Sequence, residues 1–231
     1  MFRYETHLHT APVSVCAKVN VRKNLEFYKA IGYDGVFITN HFFDDDSSPE
    51  PAQQYEDLIE SFCSDYEKGT LLEQELGIKV FFGLEFSYYG SDFLVYGLDQ
   101  AWLLAHPEIM TIDRRDILEL FFTSGALVIH AHPFREGKYI DHIRLFPRHV
   151  HGVEIMNAGR TDLENEMASL YAKQYGLLPF AGSDNHRGAR QARLAGMESD
   201  TPVHDARDFI RLFREGSLRP FSFDNPGLRQ P

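Results

Sequence analysis

The chain has 231 residues, 43% of them hydrophobic and 25% charged, and a formal net charge of −11, which suits one large α/β domain or two small ones around a sizeable core. The acidic balance argues against tight binding of a nucleic-acid polymer, which calls for a basic face, and no run approaches the ~18 continuous apolar residues of a membrane span. The opening MFRYETHLHT has no apolar leader region and the two cysteines, Cys16 and Cys63, are too few for a disulfide framework, so a cytoplasmic, reducing setting is expected.

In chain order, the first expected strand, 3–8, leads into His7 and His9, which stand two residues apart and so share one strand face. A helical segment over 19–31 ends at Gly32, and the run YDGVFIT then forms an expected strand at 35–39 that delivers His41. The polar stretch DDDSSPEP at 44–51 is an expected surface loop. Beyond it, Tyr55, Leu58, Ile59, Phe62, Cys63 and Tyr66 fall at helical spacing within 52–76. Gly77 follows, then a strand at 79–86 that carries Glu85. The next strand, 92–97, opens on Asp92. A helix starting at Asp113 leads through Gly125 to a strand at 126–130, where ALVIHAHP supplies His130 and His132. The strand at 152–155 ends near Glu154 and Asn157. A helix starting at Asp162 reaches Gly176, and the strand at 178–182 runs into Asp184 and His186. A last helical segment ends at Gly216, with an eighth short strand near 219–223 and an irregular tail over 224–231.

Glycine just past a helix end supplies a left-handed closing residue, and helices alternating with short apolar runs imply βα units with parallel strands. With no linker in sight, the expectation is a single α/β domain over 1–231, a closed or nearly closed β/α barrel of about seven strands. Strand C-termini in such folds form one rim where ligands and catalytic groups gather. Six of the eleven histidines fall at that rim, namely His7, His9, His41, His130, His132 and His186, together with Glu85, Asp92, Glu154 and Asp184. Histidine and carboxylate mixtures are the ligand set of Zn, Mn or Fe. A carboxylate can bridge two cations, so Glu85 or Asp184 among the histidines points to more than one ion.

The motifs HLH at 7–9, TNH at 39–41, GLEF at 83–86, AHP at 131–133 and GSDNH at 182–186 resemble, in order and spacing, those of the PHP (polymerase and histidinol phosphatase) superfamily. The resemblance spans residue 5 to about 187. It implies a distorted (β/α)7 barrel with two or three divalent ions (Zn, Mn or Fe) at the strand C-termini, and in many members phosphoesterase activity on small phosphate monoesters. It would make His7, His9, Glu85 and Asp184 ligands of one ion, with Glu85 bridging to a second held by His132, and His41 and His186 holding a third. Three positions depart from the family pattern. An acidic or histidine ligand is expected near Ser14 and Val15, where Cys16 stands next in line, either as a ligand or as a small packed residue. Asn40 replaces an aspartate that would hold a ligand in place. Asp92 replaces a histidine, and is either a ligand or a surface residue at a strand start.

Clustered divalent ions create hydroxide from water at neutral pH and neutralise a phosphoryl group, which suits hydrolysis of a phosphate ester. No GxSxG or GxxxxGK[ST] motif offers a covalent or P-loop route. Arg135 and Arg160, on loops at the expected rim, could bind phosphate oxygens through paired hydrogen bonds, and Arg187 less so. His130 or His186 could protonate a leaving alkoxide if not metal-bound; strand alternation puts His130 on the same face as His132, while the resemblance makes it a core group or one that supports the ligands from behind. Glu154 and Asn157 would orient ligands, and Tyr88 and Tyr89 would line an entrance or simply pack. The expected function is a metal-dependent phosphoesterase acting on a small phosphorylated substrate through a metal-activated hydroxide. The alternatives are hydrolysis of a non-phosphate bond and a non-catalytic, metal-stabilised regulatory domain.

Overall fold

A computed structural model of the chain describes residues 1–42 and 54–228; the expected surface loop at 44–51 lies outside the described residues. The elements run β1 (Phe2–Leu8), α1 (Val21–Ala30), β2 (Gly35–Ile38), the two-residue β3 (His41–Phe42), α2 (Tyr55–Thr70), α3 (Glu73–Leu76), β4 (Lys79–Tyr88), β5 (Ser91–Tyr96), α4 (Gln100–Leu104), α5 (Arg114–Thr123), β6 (Leu127–Ala131), β7 (Gly152–Asn157), α6 (Asp162–Tyr175), β8 (Leu178–Gly182), β9 (Arg193–Ser199), α7 (Ala206–Arg214) and β10 (Arg219–Asp224). Local chemistry sets several boundaries. Asp113 caps α5 through the amide of Arg115. Thr161, one residue before the expected start, caps α6 in a reciprocal box with Glu164. The stretch expected as one helix over 52–76 is two, α2 and α3, and Gly77 closes the second in the left-handed conformation.

Seven strands make the wall of a distorted barrel in the order β1-β2-β4-β5-β6-β7-β8. They match the seven expected ones, with one difference of direction: β5 runs antiparallel to both its neighbours, β4 and β6. The cause is the two-residue turn Tyr89–Gly90, where both residues have positive φ (46° and 82°), the backbone of a tight hairpin and not of a helical crossover. The reversal places the start of β5 at the same rim as the ends of the parallel strands. The barrel closes where Thr6 Oγ1 donates to the Ala181 carbonyl and residues 7–9 exchange backbone hydrogen bonds of 3.2 Å with Asn185.

Beyond that seam the edge of β1 is shared. Its first residues, Phe2–Tyr4, pair instead with β9, which with β10 forms an antiparallel pair wedged beside β8. β9 (RLAGMES) was not among the expected strands, since its charged ends and central glycine blur the alternation that marks one. The start of the expected tail is docked: Asn225 is buried, and its side chain donates to the carbonyls of Ala189 and Gln191.

The core has an inside and an outside. Tyr4, Phe37, Phe81, Leu94, Tyr96, Ile129 and Phe180 point into the barrel. Phe209 of α7 enters from the end opposite the rim, its ring centroid 4.6 Å from that of Phe37, so α7 is the floor. Outward-facing residues such as Phe82, Leu84, Phe86, Phe93 and Val128 pack under α2, α4 and α5, while Val36 and Val80 pack under α1. No helix among the described residues is long and apolar enough to cross a membrane.

The seam depends on the absence of a side chain at Gly182. A Cβ there would lie 2.4 Å from the Cβ of His7 and 2.8 Å from Glu154 Oε1. Gly182→Ala should therefore destabilise the fold by about 1–3 kcal/mol, measured as a lower urea midpoint with an unchanged slope.

Candidate metal centre

The site begins with a fault in the first strand. Opposite Glu5–Leu8 of β1, the β1–β2 register slips by one residue, so Tyr4 points inward and yet His7 and His9 do as well. The amides freed by the bulge are taken by Glu5, whose Oε1 accepts from the backbone N–H of Thr6 (3.0 Å), His7 (2.9 Å) and Ser183 (2.9 Å). One buried carboxylate thus ties the first histidine segment to the one carrying Asp184. Burial, partly offset by these donors, pushes the Glu5 carboxyl up to about 7.

Strand alternation in β4 buries Phe82, Leu84 and Phe86 outward, leaving Glu85 inward at the centre of the rim. Its two oxygens face different partners. Oε1 lies 3.3 Å from His7 Nε2 and 3.2 Å from His132 Nε2, and Oε2 lies 3.2 Å from His9 Nε2 and 2.9 Å from His41 Nδ1. Asp184 Oδ1 sits 3.7, 3.6 and 3.3 Å from nitrogens of His7, His9 and His186. Yet His7 Nε2, His9 Nε2, His41 Nδ1 and Glu85 Oε2 are buried without hydrogen-bond geometry to any partner among the described residues. Buried polar atoms this close and unsatisfied fit a set of donors aimed at a common cation. Among the described residues, three groups have ligand atoms within 4.8 Å of one another: His7, Glu85 and His132; His7, His9 and Asp184; and His9, Cys16, His41 and His186. The residues present therefore fit divalent ions.

The electrostatics favour the ligating forms of Glu85, Asp184, His9 and Cys16, whereas His7, His41 and His186 are raised above the ordinary imidazole range, burial being outweighed by Glu154 at His7, by Glu85 at His41 and by Cys16 and Asp184 at His186. Burial alone would raise the carboxyl of Glu85, but His41 and His7 hold it well below the usual range, and His7, His132 and His186 do the same for Asp184. His9 is held neutral by burial and by His186 and His41. In Cys16, burial is outweighed by hydrogen bonds with His186 and His41, which bring the thiol down to about 6.

A layer behind these groups fixes their rings. His7 Nδ1 is 2.9 Å from Glu154 Oε1, and Glu154 Oε2 accepts from the His132 amide and from Asn157, whose Nδ2 also reaches Asp184 Oδ2. Ser14, where an acidic or histidine ligand was expected, is 3.2 Å from His9 Nδ1 and donates to Asn40 Oδ1. Asn40 Nδ2 in turn donates to Thr10 Oγ1, which donates to the buried Asp65 of α2. An aspartate at position 40 would lose that first donor and set a second carboxylate beside Asp65. The amide at position 40 is thus matched to this chain's own network. Glu5 and Asp65 were missed from sequence. The only signal for either is an acidic residue inside an otherwise buried stretch.

Among the described residues, two of the three non-glycine residues with positive φ are His132 (25°) and Asp184 (51°). Such backbone is strained and clusters at working sites. The turn at His132 also corrects an expectation. Alternation had put His130 on the same face as His132 and made it a candidate proton donor. Instead His130 points outward with Val128, stacked on Phe93 at 5.0 Å and edged by Phe146 and Tyr171, while the positive φ turns His132 inward. His130 belongs to the outer core.

Asp92 reaches the rim because β5 is reversed. It falls outside the three groups: it lies 3.8 Å from His132 Nε2, accepts from Ser87 Oγ at 2.6 Å and pairs with Arg135 at 2.8 Å. Arg160 lies 3.7 Å from Asp184. Arg187 is exposed, Tyr88 packs against Phe146, and Tyr89 is exposed at the hairpin tip. Exposure rises outward across the site, from 0% for the side chains of His7 and His9 to 18% for His41 and 27% for His186 and Arg160.

No family model and no curated protein matches the sequence. Among solved structures, the chain is similar to a two-domain protein containing a predicted PHP-like metal-dependent phosphoesterase from Bacteroides vulgatus, with a TM-score of 0.71 and 14% identity over 95% of this chain and 64% of that one. The fold is PHP-like. A protein from Bifidobacterium adolescentis assigned as a metal-dependent phosphoesterase is similar at TM-score 0.57 and 14% identity, over 91% of this chain and 94% of that one. An amidohydrolase from Chromobacterium violaceum with bound sulfate is similar at TM-score 0.55 and 14% identity, over 94% and 97%. The chain spans about two thirds of the Bacteroides protein. The PHP-like barrel and the ordered motifs agree, and the motifs lie on the barrel's rim.

The place of His130 is testable by pH. Burial pulls its pKa from 6.5 to about 3, with His132 adding to the effect. The unfolded chain therefore binds a proton below 6.5 that the folded chain refuses, and stability falls as pH falls, by about 1.4 kcal/mol per unit. His130→Leu should lose this increment. Its stability relative to the parent should rise in urea unfolding as the pH is lowered from about 7 to about 4, with metal content unchanged.

Proposed function

We propose that the protein is a metal-dependent phosphoesterase that hydrolyses a small phosphate monoester. The observation that carries this reading is the Glu85 carboxylate, with one oxygen facing His7 and His132 and the other facing His9 and His41, beside two arginines at the open side of the rim. In this reading His7, Glu85 and His132 would hold one cation, His9 and Asp184 would contribute to a neighbour, and His41 and His186 would complete the outer side, for two or three ions in all. The chemistry such ions supply is activation of water at neutral pH and neutralisation of phosphoryl charge.

The chain's own part is positioning. Glu154 engages Nδ1 of His7 and so leaves Nε2 to face Glu85. Ser14 does the same for His9. Arg135 and Arg160 each keep a buried Nε–H without a partner among the described residues. Their guanidinium groups can donate to the phosphoryl oxygens that the ions do not hold. Asp92, paired with Arg135, fixes where that guanidinium points.

Metal-dependent hydrolysis of a non-phosphate bond is the second reading, favoured by the likeness in fold to an amidohydrolase. The two arginines favour phosphate. A panel of phosphate monoesters and amides, assayed with metal-loaded protein, separates the readings, since phosphate release from no ester would overturn the first.

Elemental analysis of the purified protein should find more than one divalent ion per chain. Glu85→Ala should lose metal and activity together while keeping its circular dichroism spectrum; retention of both would overturn the site. Glu154→Gln should cost roughly 10–100-fold in metal affinity or activity, read by metal titration and by kcat/KM.

A further inference from the structure

Of the three donor groups at the rim, one differs in kind. His9, Cys16, His41 and His186 offer three imidazole nitrogens and a sulfur within reach of one another, and the carboxylates of Glu85 and Asp184 adjoin this set at 2.9 Å from His41 Nδ1 and 3.3 Å from His186 Nδ1 without being among its four members. Its neighbour, His7 with Glu85 and His132, includes a carboxylate, and so does the group of His7, His9 and Asp184. The imidazoles are drawn together, with ring centroids 4.1 Å apart for His9 and His186 and 4.4 Å for His9 and His41. Nε2 of the fully buried His9 has no hydrogen-bond partner among the described residues.

Packing does not explain the sulfur. Cys63 is buried among Ile59, Phe42 and Phe82 in the outer core, the ordinary place for a small apolar thiol. Cys16 is exposed on the turn after β1, gains no comparable burial, and is in hydrogen-bond contact with His41 and His186.

We infer that His9, Cys16, His41 and His186 form a thiolate-containing cation site that prefers borderline ions such as Zn²⁺ or Co²⁺ over hard ions such as Mg²⁺. This inference rests on the proposed reading of the rim as a metal centre. Thiolate and imidazole favour the first class of ion, and carboxylate and water the second; four nitrogen and sulfur donors match in type and number those around tetrahedral Zn²⁺. The rim would then hold ions of unequal chemistry side by side, a soft position at the mouth and a harder one beneath it.

The experiment uses the full chain, stripped of metal by chelation and titrated with Co²⁺ alone. The expected result is a near-ultraviolet thiolate-to-cobalt charge-transfer band that survives a large excess of Mg²⁺. The band should vanish in Cys16→Ser and persist in Cys63→Ala, with both variants folded by circular dichroism. Cys16→Ser should still bind cobalt through the carboxylate-bearing groups, seen as d–d absorption without the sulfur band. Cobalt binding by the parent without a sulfur band, survival of the band in Cys16→Ser, or its loss on adding Mg²⁺ would each overturn the inference while leaving the metal centre standing. No cobalt binding at all would overturn both.

Discussion

The structure turns on a carboxylate that has been taken out of water and surrounded by imidazoles. Glu85 is 1% exposed, and each of its oxygens meets a different pair of histidine nitrogens. Burying such a charge is expensive unless positive charge is supplied close by. Protonated histidines can supply some of it, but His9 is held neutral by burial and by His186 and His41. Cations between the rings and the carboxylate would balance the arrangement, and the unsatisfied ring nitrogens mark where they would sit.

Much of the remaining architecture serves to bring these groups to one point. The bulge in β1 changes which face His7 presents, and Glu5 absorbs the amides the bulge sets free. The tight turn at Tyr89–Gly90 reverses β5 and so carries Asp92 and its partner Arg135 to the rim. The strained backbone at His132 and Asp184 swings both side chains into the barrel mouth. Each departure from regular strand geometry in the wall lies next to a polar group of the site, as expected where function and ideal geometry compete.

The groups that sequence alone located are those delivered by regular rules. His7 and His9 share a strand face, His41, Asp184 and His186 follow expected strands, and Glu85 lies within one, so the ordered motifs by themselves put them on the rim. What escaped did so for local reasons. His130 was misplaced because counting alternate residues assumes that φ stays extended, and at His132 it does not. Asp92 was expected at the rim although its strand was taken as parallel; a hairpin of two residues, not the strand pattern, brings it there. Asp65 arrives from α2 and meets Thr10 across 55 residues of sequence, a pairing that no local pattern encodes. β9 was invisible because its alternation is interrupted, and with it the wedge that distorts the barrel.

Phe209 from α7 has a consequence for traffic. Packed against Phe37, Tyr96 and Phe180, it stoppers the end of the barrel away from the rim, so the molecule is a cup and not a pipe. Among the described residues the open side is the rim flanked by His41, His186, Arg135 and Arg160, and ions, water and any substrate would share it. Whatever settles against His7 and Glu85 at the bottom of the cup is shut in by whatever binds above it. An occupant at that depth would have to enter before, and leave after, whatever binds above it.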